Sequence, residues 1–463
     1  MESSISVKTS DIYYAAVNFL HGKEYGRAIS LLQSILNKEG DTDLDVIHNA
    51  LSTAFLQLGD AKNATHHVLE AIDINPNPMY YANLAQIEMY RFRPLEAIEE
   101  CEFGLKLPDV PDKARTQLLL KQVSAFNMAR MHKKGYNSLR LLPKDKPEHR
   151  VYLGMAQMAE IDPIKFYEGL KNYEARTEMY QSLIPKCVHK SVIRDPANLS
   201  HGLDWNILLE QGIGDCVMML PYILDLVKDV KKHFQKQGAR INIISLDGRH
   251  DAFVNDIAKF YCDETLNAFC IESQDLYELK IEGGDFIWMF DLLKAGIKKN
   301  SGYLNMEAQI KALASQYKGK VGICWRGNSV HLNDHWRSAE LKDFYPIISV
   351  YGKDCVSLQH QLSAVEREDI QDRGIDKWDT PGLTALIAVM SNLKAVITVD
   401  TAISHLAGAI GIECVTVLPT NPDWRWGNHG SGSRFYGIKH HLTRQINCGD
   451  WSDPIAEALR IIK

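Results

Sequence analysis

The sequence predicts a chain in two parts, a stack of α-helical repeats followed by α/β structure built on parallel sheets. Three observations predict it. Small and apolar residues recur between positions 11 and 148 with a period of about 34 residues. After residue 203, β-branched apolar runs alternate with helical stretches. Two of those runs lead directly into turn-and-cap sequences, Gln211-Gly212-Ile213-Gly214-Asp215 and Asp400-Thr401. At 463 residues the chain is too long for one ordinary core, so several domains are expected.

The repeat region is predicted over 1–150. One window carries His48, Leu51, Ser52, Phe55, Ala64, Val68, Ala71 and Pro76, at the spacings of the two-helix tetratricopeptide repeat. The window before it offers Ile12, Ala15, Ala16, Phe19, Ala28, Leu32 and Ile35, and the window after it Tyr81, Leu84, Ala85, Ala97, Cys101 and Gly104. Ala28, Ala64 and Ala97 recur because paired helices approach closely there. Residues 113–148 read as a degenerate fourth unit. Each unit leaves an apolar face that only a neighbour can cover, so the units must stack. Binding of a protein partner in the concave groove, packing on the next domain, and self-association all follow equally from such a stack.

A helical junction and linker is predicted over 151–203. Phe166, Tyr167, Tyr173 and Tyr180 fall at roughly helical spacing, which core packing explains, and the segment from Pro185 to Asp204 reads as a linker. The first α/β domain is expected over 204–318. Its strands are the run before Gln211, then 241–246 and 285–290, with helices at 249–261 and 305–317. The second, over 319–463, is expected to run strand 321–325, helix 339–348, strand 355–358, helix 382–391, strand 395–399, helix 402–410 and strand 413–418. A final amphipathic helix covers 453–462. Strands alternating with helices imply parallel sheets covered on both faces.

Composition narrows the functional classes. A hydrophobic content of 45% and a charged content of 24% are those of a globular protein. The formal charge of −6 leaves no basic surplus for wrapping nucleic acid. Nine cysteines are scattered without a C-x-x-C pair, as expected of a reduced, cytoplasmic chain. The N-terminal MESSISVKTSD lacks the pattern of a signal peptide, and no membrane span is expected.

The residues that could carry chemistry cluster at strand ends. Val396 to Gly411 reads strand, sharp turn, helix, with Asp400, Thr401, Ser404 and His405 crowded at the turn. Such turns lie at the carboxyl edge of a parallel sheet, where ligands bind, and the free N–H groups of the helix suit a phosphate. An ordinary capped helix with a half-buried histidine fits the same residues. In Gln211, Gly212, Gly214 and Asp215, the glycines permit positive φ and close approach of a ligand. It is not a dinucleotide fingerprint, since Val217 stands where the third glycine would fall. Asp215 also fits a simple helix cap. Arg326, Gly327, Asn328, Arg337 and Ser338 surround the first loop of the second sheet, together with His331, Asp334, His335 and Trp336. Arginine's rigid fork suits phosphate oxygens, and a solvated polar loop is the plainer reading. No metal site is expected: Asp41-Thr42-Asp43 lies between repeats, His66 and His67 are adjacent so that their rings diverge on a helix, and His440-His441 lacks an acidic or cysteine partner at ligand spacing.

Together these runs resemble a known family. EQGIGD (210–215), VGICWRGN (321–328), DHWRS (334–338), VSLQ (356–359), VDTAISHLAGAIG (399–411), LPTNPDWRW (418–426) and NCGDW (447–451) are similar to the family 9 glycosyltransferases, the heptosyltransferase-like GT-B enzymes. The likeness is strongest to the subgroup that joins tetratricopeptide repeats to this domain, and FYEGLKNYEAR resembles the junction in those proteins. The resemblance implies two Rossmann-like domains forming a GT-B fold, and an inverting, metal-independent transfer of sugar from a nucleoside-diphosphate sugar, without a cofactor. It places Asp215 as the base on the acceptor hydroxyl, with Gln211, Gly212 and Gly214 on the acceptor side. It assigns the donor to Arg326, Asn328, Arg337, Ser338, Asp400, Thr401 and His405. The sequence departs from many heptosyltransferases in having Arg337 where lysine is usual, and Thr401 and Ala402 after the signature aspartate. The acceptor is open between a glycan, a protein and a modified nucleic acid. A repeat-protein scaffold with an inactive transferase-like domain is the competing reading.

Overall fold

The computed structural model describes residues 9–36, 43–179, 192–193, 204–234, 239–246, 248–271, 285–304, 311–329, 331, 333–379 and 382–463. The chain divides into two compact units, Met1–Pro143 and Lys144–Lys463.

The described residues of the first unit form four helical hairpins: α1 (Thr9–His21) with α2 (Tyr25–Leu36), α3 (Leu44–Gln57) with α4 (Ala61–Ile74), α5 (Pro78–Tyr90) with α6 (Pro94–Lys106), and α7 (Asp112–Met128) with α8 (His132–Leu139). Ala28, Ala64 and Ala97 are fully buried where paired helices touch. Each hairpin turns through one left-handed residue, Lys23, Gly59, Phe92 or Arg130, and only one of these is the glycine that such a φ favours. Asp60 caps α4 by accepting from the Asn63 N–H at 3.0 Å. Polar rungs join successive hairpins: Tyr80 donates to Asp45 at 2.9 Å, and Asn83 to Asn49 at 2.6 Å.

The second unit begins with α9 (Pro147–Met158), α10 (Pro163–Tyr173) and the short α11 (Arg176–Met179). The first two cross so closely that a Cβ on Gly154 would lie 2.6 Å from the Gly169 carbonyl oxygen. Phe166 and Tyr173 are buried, as their spacing predicts, whereas Tyr167 is exposed. Tyr180 and nearly all of the expected linker lie outside the described residues; the exceptions are β1 (Val192–Ile193), an edge strand paired in parallel with residues 286–287, and Asp204.

The first sheet adds β2 (Asp204–Leu208), β3 (Arg240–Leu246), β4 (Leu266–Ile271) and β5 (Asp285–Trp288), all parallel, in the order β1-β5-β2-β3-β4. The second contains β6 (Val321–Cys324), β7 (Cys355–Ser357), β8 (Asp376–Lys377), β9 (Ala395–Val399), β10 (Glu413–Leu418) and β11 (His440–Arg444), in the order β11-β10-β9-β6-β7-β8. Read from its first strand, the second sheet grows one way through β7 and β8, then returns to the other side for β9, β10 and β11. That is the doubly wound order, and its switch point lies between β6 and β9. The first sheet reverses in the same manner between β2 and β5. Both candidate turns follow strands at these switch points.

The helices that matter below are α12 (Ile213–Phe234), α13 (Asp251–Asp256), α14 (Asp334–Arg337), α15 (Tyr345–Tyr351), α16 (Ala364–Asp372), α17 (Leu383–Met390), α18 (Ala402–Ile410) and α19 (Ser452–Ile462). One hydrophobic cluster runs from Phe166 and Tyr173 through Ile207, Met219 and Ile243 to Val396, Leu406 and Trp426. The two sheets of this unit therefore share a core with the α9–α10 pair. A second cluster, with Trp325, Ile397 and Ile455, fills the other face of the second sheet.

Several expected boundaries shift for visible reasons. The strand expected to reach 290 ends at Trp288, because the Phe290 N–H leaves the ladder to donate to Glu210 Oε1 at 3.0 Å. The helix expected over 249–261 breaks at Asp256, whose carboxylate accepts from the Leu383 N–H at 2.6 Å and so caps α17 behind Gly382. Of the helix expected over 305–317, residues 305–310 lie outside the described residues and Ser315–Tyr317 is a 3₁₀ turn. All eight tryptophans belong to the second unit. Among the described residues, no helix is long and apolar enough to cross a membrane.

Candidate active site

The site is built where the N-terminus of α12 meets the N-terminus of α18. Gly214 makes this meeting possible. A Cβ at 214 would lie 2.6 Å from His405 Cδ2 and 3.3 Å from Ala402 Cα. The positive φ in this turn falls on Gln211, at 65°, and not on Gly212 or Gly214. Gly214 is thus needed for close approach rather than for backbone conformation. The Gln211 carbonyl accepts from His250 Nε2 at 3.1 Å, which holds the turn from the next strand's loop.

Asp215 stands on the first turn of α12 and closes it by accepting from the Gly212 N–H at 2.9 Å. Its other oxygen is paired with Arg425 Nε, from the loop that follows β10. Burial pushes the Asp215 carboxyl above its ordinary range, against the pull of the Arg425 charge. Its charge is therefore set by burial and an ion pair as well as by the helix terminus. Arg425 also donates to Asp423 Oδ1 at 2.6 Å and lies over the rings of Trp424 and Phe290, at 4.7 Å and 5.4 Å. It is 8% exposed.

On the α18 side the helix cap is Thr401, whose hydroxyl accepts from the Ile403 N–H at 3.2 Å. Asp400 is left free of capping and is buried. Burial and the neighbouring Asp423 push its carboxyl up, while Arg337, Trp426 and Arg425 oppose them. His405 shares a hydrogen bond of 2.8 Å with the Tyr436 hydroxyl through Nδ1 and stacks on Trp426, centroids 4.9 Å apart. Burial, followed by the charge of Arg425, holds its pKa well below the usual histidine range, so the ring is neutral. Ser404 points the other way, into a buried network with Thr416 at 2.6 Å and His440 at 3.2 Å.

The loop after β6 divides its residues between two tasks. Arg337, on α14, is held by Asp334 at 3.3 Å and lies within electrostatic reach of Asp400, His405 and His331. Ser338 donates to Asp334 at 2.9 Å and accepts from the Gly327 N–H at 2.9 Å, so it shapes the loop. Asn328 is exposed on the same loop. Arg326 is spent elsewhere: its fork takes Glu366 at 2.9 and 3.0 Å, and it also donates to the Gln361 carbonyl.

The structure thus brings Gly214, Asp215, Arg337, Asp400, Thr401 and His405 to one locus and leaves Arg326 outside it. Sequence reasoning missed Arg425 and Asp423. It also missed Arg176, which donates to Glu210 at 2.7 and 2.8 Å and to Asp291 at 3.2 Å, fixing the start of the Gln211 turn from α11. The locus carries four carboxylates, Asp215, Asp334, Asp400 and Asp423, against two guanidiniums, Arg337 and Arg425. It is a cluster of mixed charge.

No protein-family model and no curated protein sequence matches this chain. Solved structures are similar to parts of it. PilW, a type IV pilus biogenesis factor, aligns at 16% identity over 37% of this chain and 78% of its own, with a TM-score of 0.33. A thermophilic tetratricopeptide-repeat protein of Thermus thermophilus aligns at 16% identity over 38% of this chain and 94% of its own, with a TM-score of 0.32. The E. coli heptosyltransferase WaaC, solved with ADP-2-deoxy-2-fluoro heptose, aligns at 11% identity over 56% of this chain and 98% of its own, with a TM-score of 0.34.

Proposed function

We propose that the second unit is an inverting, metal-independent glycosyltransferase that moves a sugar from a nucleoside-diphosphate sugar to an acceptor hydroxyl. The observation that carries this reading is the contact of Gly214 with His405, which sets a carboxylate from one sheet against a phosphate-ready helix terminus from the other. Each lies beyond a strand at its sheet's switch point, where ligands of such sheets bind.

In this reading the N–H groups that open α18 and the Arg337 guanidinium receive the diphosphate. Neutral His405, fixed by Tyr436 and Trp426, forms a rigid wall behind it. Asp215 takes the proton of the acceptor hydroxyl, the acceptor oxygen bonds to the anomeric carbon, and the bond to the diphosphate breaks on the opposite face. The raised pKa of Asp215 makes it a stronger base than an exposed aspartate. The acceptor is a glycan, a protein or a modified nucleic acid, and the repeats bind a protein partner or a second copy.

The Asp215–Arg425 ion pair favours a second reading, a repeat-protein scaffold whose transferase-like domain is inactive. Incubation with a panel of nucleotide sugars separates the two. The first expects at least one sugar nucleotide to release its diphosphate, without a divalent ion, when an acceptor is supplied. Absence of release and of diphosphate binding across the panel would establish the second.

A further inference from the structure

We propose that Arg425 is a further donor-binding residue, which the diphosphate draws from Asp215 toward the N-terminus of α18 as the sugar nucleotide enters. This rests on the function proposed above and assigns a role to a residue outside the donor set expected from sequence.

The geometry supports it in three ways. First, Arg425 is the only described arginine paired with Asp215, and it comes from the same sheet as the α18 turn. Its charge acts on Asp400 and His405 as well as on Asp215. A short swing therefore changes its partner without changing its neighbourhood. Second, the two carboxylates on Arg425 are unequal in kind. Asp423, two residues away in the same loop, travels with it, whereas Asp215 belongs to the other sheet. The first can act as a tether while the second is exchanged. Third, the locus as found has more carboxylates than guanidiniums, four against two. A diphosphate entering it gains if Arg425 turns from Asp215 to the phosphate oxygens, since an arginine fork matches phosphate as well as carboxylate.

The exchange has a chemical consequence. While Arg425 holds Asp215, one carboxylate oxygen is occupied and the group is a weaker base. Once the diphosphate has drawn Arg425 away, that oxygen is free to accept the acceptor proton. Donor loading then precedes base activation.

The test is titration calorimetry of the full-length protein with ADP, GDP and UDP, using wild type, Arg425→Ala, Arg425→Lys, Asp215→Asn and the Asp215→Asn/Arg425→Ala double variant. Arg425→Ala should weaken the diphosphate that wild type binds by tenfold or more, with Arg425→Lys in between. Asp215→Asn should tighten binding several-fold by releasing Arg425, and that gain should vanish in the double variant. A gain that persists without Arg425 would mean that removing a negative charge suffices, and would overturn the exchange. Wild-type affinity in folded Arg425→Ala would overturn it while leaving the proposed function standing. If Arg425→Ala fails to fold, Arg425→Lys and Asp215→Asn still decide it, and equal affinity in both with wild type rejects it. A wild type that binds none of the three diphosphates would overturn the proposed function and this role together.

Discussion

Gly214 has room for a hydrogen atom and nothing larger. The ring that a methyl group would meet is His405, and it cannot retreat easily, because Tyr436 holds it by a hydrogen bond and Trp426 by stacking. Gly214→Ala should therefore destabilise the second unit by about 1–3 kcal/mol, the usual cost of overpacking. A urea midpoint equal to that of wild type would show that the His405 ring can move after all. Asp215→Asn keeps the shape and the helix cap but removes the base, so sugar transfer should fall about 10²–10⁴-fold. Transfer at the wild-type rate would leave Asp215 as a cap and an ion-pair partner only. Arg337→Ala should weaken diphosphate binding by roughly 1.5–3 kcal/mol, the scale of a charge-assisted contact; calorimetry showing no change would confine Arg337 to its pairing with Asp334. Asp215 and Arg337 are legible in the sequence because they stand beside turn residues. Arg425 is not: its partner Asp215 is 210 positions away, and no local spacing encodes that meeting.

Among elements, those with buried strands and tight turns are read directly from sequence. The run β9, α18, β10 coincides with the expected 395–399, 402–410 and 413–418. The strand is wholly apolar apart from Thr398, and Thr401 supplies the cap. Losing that cap in Thr401→Ala should cost about 1 kcal/mol, to be read in the thermal midpoint. Elements whose cause lies elsewhere are missed. β11 begins His440-His441, an unpromising strand, and exists because His440 is buried against Thr416 and Ser404 while its backbone pairs with β10. The hairpin turns of the repeats hide for another reason: left-handed Lys23, Phe92 and Arg130 carry no glycine signal. Arg326 shows a readable motif serving a different end, since it clips the β6 loop to α16 through Glu366. Despite desolvation, Arg326, the Ser363 N–H and Trp325 pull the Glu366 carboxyl down to about 2. A depressed carboxyl contributes stability that is present above its unfolded value of 4.5 and is lost as pH falls toward 2. The contribution is at most about 3 kcal/mol, and less with solvent screening. Denaturation between neutral pH and pH 3 should show a shallower acid loss in Glu366→Gln than in wild type; parallel curves would remove Glu366 from the acid limb.

At the scale of the molecule, the second unit is tied together by charges buried far from where they arise in sequence. Arg176 follows α10, Glu210 follows β2 and Asp291 follows β5, and the three meet with side chains 2–3% exposed. Burial pushes Asp291 up to about 6 against the Arg176 charge. Arg176→Ala leaves two carboxylates buried without their cation, and should cost roughly 3–5 kcal/mol, seen as a lowered thermal midpoint. A midpoint unchanged within error would mean that water or protonation replaces the arginine at no cost.

The placement of the eight tryptophans gives the protein two separable optical signals. Indole emission arises in the second unit alone, whereas far-ultraviolet circular dichroism sums the helices of both. Damage confined to the repeats is then visible in the dichroism and reaches the emission only if the units communicate. Within the second unit, Trp426 lies between the His405 and His440 rings, and Trp424 lies under Arg425. Two of the fluorophores thus border the residues expected to hold the donor, so a titration of unlabelled nucleotide should be readable as quenching in the native chain.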